Sequence, residues 1–379
     1  MSTDTLQRSP FHTYHEANQA KLVDFAGWSM PISYGSALAE HEHTRRAVSL
    51  FDVSHMGRVE VKGRDARRFL ESLLTRRITD MAEYSCRYAM ICNDRGGIID
   101  DIIVYRYPEH WMMVVNASNR SAVLQHMGEV ADRLAYKVKV NDLTKKTAMV
   151  AIQGPQAMEA IAPASSEIGA LKRYRFCIKN LLLYKITISR TGYTGEDGVE
   201  VILPAALAQR AVDMVRSEAE KRGLDIRPAG LAARDSLRIE AGMPLYGHEI
   251  DSDTDPFTAG LGFAVTLGEP PAGVQDIPRF VGQDALEALV ARGPEQQTIG
   301  LRMEGRRTPR QGDPIIRGGQ VIGRVTSGCL VPTQPGPIAI ARVPAGIDAG
   351  TELSVGLGKG RTIIPAVTSQ LPFERLSVS

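Results

Sequence analysis

The sequence predicts a multi-domain α+β protein: two α+β units, then a C-terminal all-β module of small-barrel or jelly-roll type. Three observations predict it. The chain has 379 residues, more than one small core holds. Helix and strand periodicities mix along residues 1–270, with a pattern that partly recurs from Thr147. Beyond a connector, short strand-like runs alternate with Gly and Pro turns.

The elements follow in order. Ser36 to Val48 is polar and helix-compatible, Gly57 to Val61 alternates like a strand, and Asp65 to Leu74 reads as an amphipathic helix. Tyr88 to Cys92 and Ile98 to Tyr105 are strands joined by Asn93-Asp94-Arg95-Gly96-Gly97, a strong hairpin signal. Trp111 to Val115 is another strand, followed by a helix from Ser118 to Leu134. The second unit starts with the strand Ala148 to Gln153, and Gly154-Pro155 opens a helix. Leu183 to Ser189 and Val199 to Leu203 are strands, and Pro204 to Arg222 is a helix. The units divide near residue 145. Glu269 to Pro278 is the connector, Gly282 to Arg292 a short helix, and residues 280–373 form the β module through IGLRME, DPIIRGGQVIGRVTSG, IAIARV and TELSVGL.

Composition narrows the function. With 45 Lys+Arg against 43 Asp+Glu, scattered rather than blocked, no nucleic-acid partner is expected. The four cysteines form no CxxC pair, which argues against a zinc knuckle or dithiol site and fits a reducing compartment. No apolar run is long enough to span a membrane and the N-terminus has no secretion signature. The expected location is cytoplasmic, or the mitochondrial matrix if a transit segment has been removed.

Four segments carry chemistry. Asp100-Asp101 sits among Ile98, Ile99, Ile102, Ile103 and Val104, where a carboxylate is costly without a task or partner. Successive strand residues face opposite ways, so only one of the two can face a given cavity. In FDVSHMG (Phe51 to Gly57), Asp52, Ser54 and His55 are too close in sequence to build a triad; His55 reads as structural and Met56 as pocket wall. In RTGYTGEDGVE (Arg190 to Glu200) the glycines match no nucleotide-binding spacing, but Glu200 is a lone carboxylate between valines, able to accept a pair of N–H donors. In GLAARDSLRIEAGMPLYG (Gly230 to Gly247) Arg234 and Arg238 share one helical face and offer a guanidinium to a carboxylate-bearing ligand.

With VDFAGWSMPISY (Val23 to Tyr34), EHEHTR (Glu40 to Arg45), YAMICNDRGGIIDDIIVY (Tyr88 to Tyr105), VVNAS (Val114 to Ser118), AIQGPQA (Ala151 to Ala157) and VTSG (Val325 to Gly328), these segments resemble, in order and spacing, the glycine cleavage T-protein family of aminomethyltransferases. The resemblance implies two folate-binding α+β units and the barrel in a cloverleaf-like arrangement. It implies transfer of a one-carbon unit from aminomethyl-lipoyl H-protein to tetrahydrofolate, with release of ammonia. The implied partners are the lipoylated H-protein, tetrahydrofolate as co-substrate and the other glycine cleavage components; no metal and no pyridoxal phosphate are implied. It assigns Asp100 as the catalytic carboxylate beside the folate nitrogens, Glu200 as the pterin anchor and Arg234 as the partner of charged folate groups. Met56, Tyr88, Val115, Asn116 and Tyr174 match pocket-lining or pocket-supporting positions.

The chain departs from the family in its last third. Phe263 stands where Trp is usual, CLVPTQ follows VTSG, and no aromatic residue follows Pro372-Phe373. These departures keep one alternative in view, a related folate-dependent demethylase acting on a small methyl donor. An iron–sulfur assembly factor of the same superfamily is disfavoured, because RTGYTGED lacks the cysteine of its motif.

Overall fold

The computed structural model describes residues 6–161, 165–181, 184–268 and 277–374. Residues 269–276 of the expected connector, and Leu183 at the head of an expected strand, lie outside them.

The described residues form three sheets and a closed barrel. The first is five-stranded, in the order Ser85–Cys92, Ile98–Arg106, Trp111–Val115, Gly57–Lys62, Lys139–Asp142. Helices Ala66–Leu73 and Arg120–Arg133 belong to this unit, and Phe69, Leu70 and Met127 close a core with Ile102, Val104 and Met113. The second sheet is six-stranded: Phe176–Leu181, Tyr184–Ser189, Gly198–Pro204, Thr147–Gln153, Val48–Asp52, Ile226–Pro228. Only its last pair is parallel.

The two sheets are interleaved rather than consecutive. Val48–Asp52 already pairs with Thr147–Gln153, so the five-stranded unit is inserted between two neighbouring strands of the other sheet. Near residue 145 the chain returns to a sheet it had already begun. Local periodicity is blind to this, because pairing between residues about a hundred apart leaves no local pattern.

The N-terminal arm adds a three-stranded sheet of Gln7–Arg8, Trp28–Ser33 and Lys21–Phe25. Its hairpin turns on Ala26 and Gly27, both at positive φ (51° and 80°). Asp52, from the second sheet, pins the arm: its carboxylate accepts from Ser9 and bonds His15 Nε2 at 2.8 Å.

The β module is a closed barrel of Gln296–Met303, Ile338–Pro344, Gln320–Cys329, Pro314–Arg317, Glu352–Gly356 and Thr362–Ser369, antiparallel throughout. Closure leaves no sheet edge exposed. Helix Leu231–Glu240 joins the parts, packing on helix Ala37–Arg46, on the arm and on two barrel strands. Arg238 from this helix is fully buried, pairs with Glu249 at 2.6 Å and donates to Ser327 of the barrel at 2.7 Å. Its expected ligand role is thus replaced by docking.

Candidate functional site

The acidic pair is positioned by its hairpin. Asn93 Oδ1 accepts from Arg95 N and Gly97 N at 2.9 and 3.1 Å, adding to the backbone bonds Asn93 N to Gly97 O at 2.8 Å and Gly96 N to Asn93 O at 2.9 Å that close the turn. Gly97 is there because another backbone is: a Cβ would lie 1.9 Å from the Ser252 carbonyl oxygen. A register shift beside Cys92 then pairs Cys92 with Ile98 and Ile91 with Asp100, leaving Ile99 as the extra residue.

Beyond that bulge the strand alternates regularly. Asp100, Ile102 and Val104 are buried, the two apolar ones on the helix-covered side. Asp101 and Ile103 face inward to the centre of the molecule, where Ile103 packs with Tyr105, Phe51 and Leu237. The structure therefore reverses the pair. Asp100 is 0% exposed, and Asn116 N, Asn116 Nδ2 and Asn119 Nδ2 donate to its oxygens at 2.9, 2.8 and 2.7 Å. It does not line the cavity; it fastens the loop that begins helix Arg120–Arg133. Asp101 lines the cavity, accepting from Tyr88 Oη at 3.1 Å and from Asn116 Nδ2 at 2.7 Å. Burial pushes both carboxyls above the usual range. At Asp100 burial, aided by the charge of Asp101, outweighs the three N–H donors and takes it to about 8.

The cavity measures about 1620 Å³ and lies where the two large sheets, the arm, helix Leu231–Glu240 and the barrel meet. Met56, Tyr88, Asn116, Tyr174, Glu200 and Arg234 all line it. Val115 does not: it is fully buried in the five-stranded unit, where a Cβ on Gly57 would strike its Cγ2. Its neighbour Val114 takes the cavity face, as strand alternation requires.

Glu200, 8% exposed, is oriented by Thr191 Oγ1, which donates to its Oε2 at 2.6 Å. The Arg234 guanidinium lies 4.9 Å from the Tyr193 ring centre, and its Nη1 is buried with no hydrogen-bond partner among the described residues. Burial lowers its pKa, with Glu200 and Tyr193 opposing. Tyr174 is half exposed with φ 58° and borders the same space.

Ser54, His55 and Asp52 do not cooperate as a triad: Ser54 Oγ bonds the Met149 backbone and Asp52 serves the arm. His55 lines the cavity edge-on to Phe25, ring centres 5.2 Å apart, and burial holds it down to about 4, so it is neutral. Sequence reasoning passed over Tyr193 and noted Phe263 only as a departure from the family pattern. Phe263 stacks on Tyr88 at 6.0 Å between centres. Tyr193 sits in the RTGYTGED segment already singled out, so its proximity to Glu200 was a usable signal.

Among the described residues no group of three or more His, Cys, Asp or Glu side chains could hold a metal ion, and no helix is long and apolar enough to cross a membrane.

The chain is similar to two family models: residues 11–269 match the GCVT N-terminal domain, and residues 296–373 match the glycine cleavage T-protein C-terminal barrel domain. It is 42% identical to an aminomethyltransferase of Rubrobacter xylanophilus over 98% of this chain and 95% of that one. An aminomethyltransferase of Symbiobacterium thermophilum is 38% identical, with 98% of each chain covered. The crystal structure of glycine cleavage system aminomethyltransferase T from Bartonella henselae superposes with a TM-score of 0.86 at 34% identity, covering 98% of each chain.

Proposed function

The chain belongs to the glycine cleavage T-protein family, and from that premise we infer that it is a tetrahydrofolate-dependent aminomethyltransferase. The reaction moves the carbon of an aminomethyl group, carried on the sulfur of a reduced lipoyl arm, onto tetrahydrofolate. Ammonia and the free dithiol leave, and 5,10-methylenetetrahydrofolate forms. Two protons leave folate nitrogens; one ends on the departing amine and one on the sulfur.

One observation carries this reading for the site: a carboxyl, Asp101, set on the wall of the central cavity and held by Tyr88 Oη and Asn116 Nδ2. We assign Asp101, rather than Asp100, to the reacting carbon. Burial raises its pKa, and in the ionised form its carboxylate stabilises positive charge on an iminium-like carbon. Glu200, oriented by Thr191, suits a pterin edge that presents paired N–H donors. Arg234, with its unused Nη1, suits a charged group of folate. Tyr88 and Phe263 offer an aromatic wall beside Asp101. The volume of about 1620 Å³ exceeds a typical single-ligand pocket of roughly 300–1,000 Å³, which supports folate and a carrier arm meeting inside.

The test is ammonia and methylenetetrahydrofolate formation from aminomethyl-lipoyl H-protein. Asp101→Asn should lose about 10²–10³-fold in kcat, the range for removal of a charge-stabilising group, while still binding tetrahydrofolate. Wild-type rates in that variant refute the assignment.

A further inference from the structure

Two buried side-chain nitrogens on the cavity wall, Arg234 Nη1 and His55 Nδ1, have no hydrogen-bond partner among the described residues. Arg234 already has a task in the reaction above. His55 has none, and its motif reads as structural in the sequence. The unmade nitrogen is at odds with that. A structural histidine spends its ring nitrogens on the protein, as His15 does on Asp52 at 2.8 Å and on Tyr34 Oη at 2.7 Å.

The turn that carries His55 is clamped on both sides. Ser54 N donates to Asp52 Oδ1 at 2.8 Å, Met56 N donates to the Val53 carbonyl at 3.1 Å, and Ser54 Oγ meets the Met149 backbone. Arg58, fully buried, donates from Nη1 to the carbonyls of Ser54 and Met56 and from Nη2 to those of Thr144 and Thr147. A buried cation therefore holds the residues on either side of His55, and a side chain on such a base is pre-organised. The ring lies edge-on to Phe25 and lines the cavity, only 4% exposed. The Asp52 oxygens are taken by Ser9, His15 and Ser54 N. Burial keeps the imidazole neutral, with Asp52 opposing and the charges of Arg234 and Arg58 adding to the effect. A neutral ring that carries its proton on Nδ1 is a donor, set near the donor Arg234.

Resting on the reading of the reaction above, we propose that His55 Nδ1 and Arg234 Nη1 converge on one oxygen-bearing group of tetrahydrofolate, which makes His55 a binding residue. Arg234 lies near enough for its charge to act on the ring, so the two face one part of the cavity. Their shared ligand is an acceptor, because a guanidinium only donates, and an oxygen with two lone pairs takes both bonds at once. A neutral donor beside a cation adds a bond without adding like charge. Tetrahydrofolate offers such oxygen in two places, the oxo group of the pterin ring and the carboxylates of the glutamate tail.

The test is calorimetric titration of the full chain with tetrahydrofolate, for wild type, His55→Phe and His55→Asn, together with urea unfolding of each ligand-free protein. Phe keeps a ring against Phe25 but no nitrogen, and Asn returns a donor near the place of Nδ1. The expected result is a Kd raised about tenfold in His55→Phe and brought back to within about threefold of wild type in His55→Asn, the scale of one hydrogen bond. Ligand-free His55→Phe should unfold at a urea concentration no lower than wild type, because it removes a buried polar atom that the fold leaves unmade. A wild-type Kd in His55→Phe overturns the proposal. So does a ligand-free His55→Phe that unfolds earlier, with a raised Kd that His55→Asn fails to restore, which is the pattern of a structural ring. The tail-less 6-methyltetrahydropterin separates the two oxygen sources: weakened binding in His55→Phe assigns the ring oxo group, and unweakened binding assigns the tail carboxylates. Failure of the wild type itself to bind tetrahydrofolate would overturn the reading of the reaction and this assignment with it, a result distinct from any change in the variants.

Discussion

Replacing Asp100 by Asn separates a structural carboxylate from a chemical one. Asp100 Oδ1 accepts from Asn116 Nδ2 and Asn119 Nδ2, and Oδ2 accepts from Asn116 N. An amide has one oxygen, so whichever way it turns, at least one N–H meets another N–H inside a fully buried pocket. A buried donor left unmade costs about 1–3 kcal/mol. Burial already works against the wild-type carboxyl, which returns part of that, so the net destabilisation is about 2 kcal/mol, concentrated where helix Arg120–Arg133 begins. Hydrogen exchange should quicken in that first turn. The kcat should fall by less than about tenfold, against the 10²–10³-fold expected for Asp101→Asn. The pH response has a definite sign. Asp100 is raised from 3.8 to about 8, so the folded state binds the extra proton and its contribution to stability declines as pH climbs between those values. The Asn variant should show a flatter decline in unfolding free energy over that window. Equal loss of kcat in the two variants, with unfolding of Asp100→Asn unchanged, would refute the division of labour.

Other perturbations test the scaffold. Gly97→Ala should destabilise by about 1–3 kcal/mol, since its Cβ must displace the Ser252 backbone, and urea denaturation will read it. Arg238→Met leaves Glu249 buried without its cation and should cost about 3–5 kcal/mol, with limited proteolysis detecting a loosened barrel before the rest unfolds. Asp52 is held below its ordinary value by His15, Ser9 and Ser54 against burial. Its contribution is therefore present above pH ~4 and is lost on acidification below that, so in wild type the N-terminal arm should become protease-sensitive there, whereas Asp52→Asn should show this already at neutral pH.

Much of the architecture was legible in the chain because it rests on local rules. The Asn-Asp-Arg-Gly-Gly turn, the helix after Ser118 and the strand-and-turn rhythm of the barrel are written in neighbouring residues, and Glu200 stood out as a lone charge among valines. Tertiary structure decided what depends on which face meets what. The strand Ile98–Arg106 is covered on both sides, so its apolar residues run without a polar-apolar alternation that could tell Asp100 from Asp101. Val115 and Val114 exchanged roles for the same reason. Arg238 and Arg234 share a helical face in sequence, yet one found Glu249 and the barrel while the other was left with a free Nη1. The partner that distinguishes them arrives from a distant segment of the chain, and no periodicity within the helix records it.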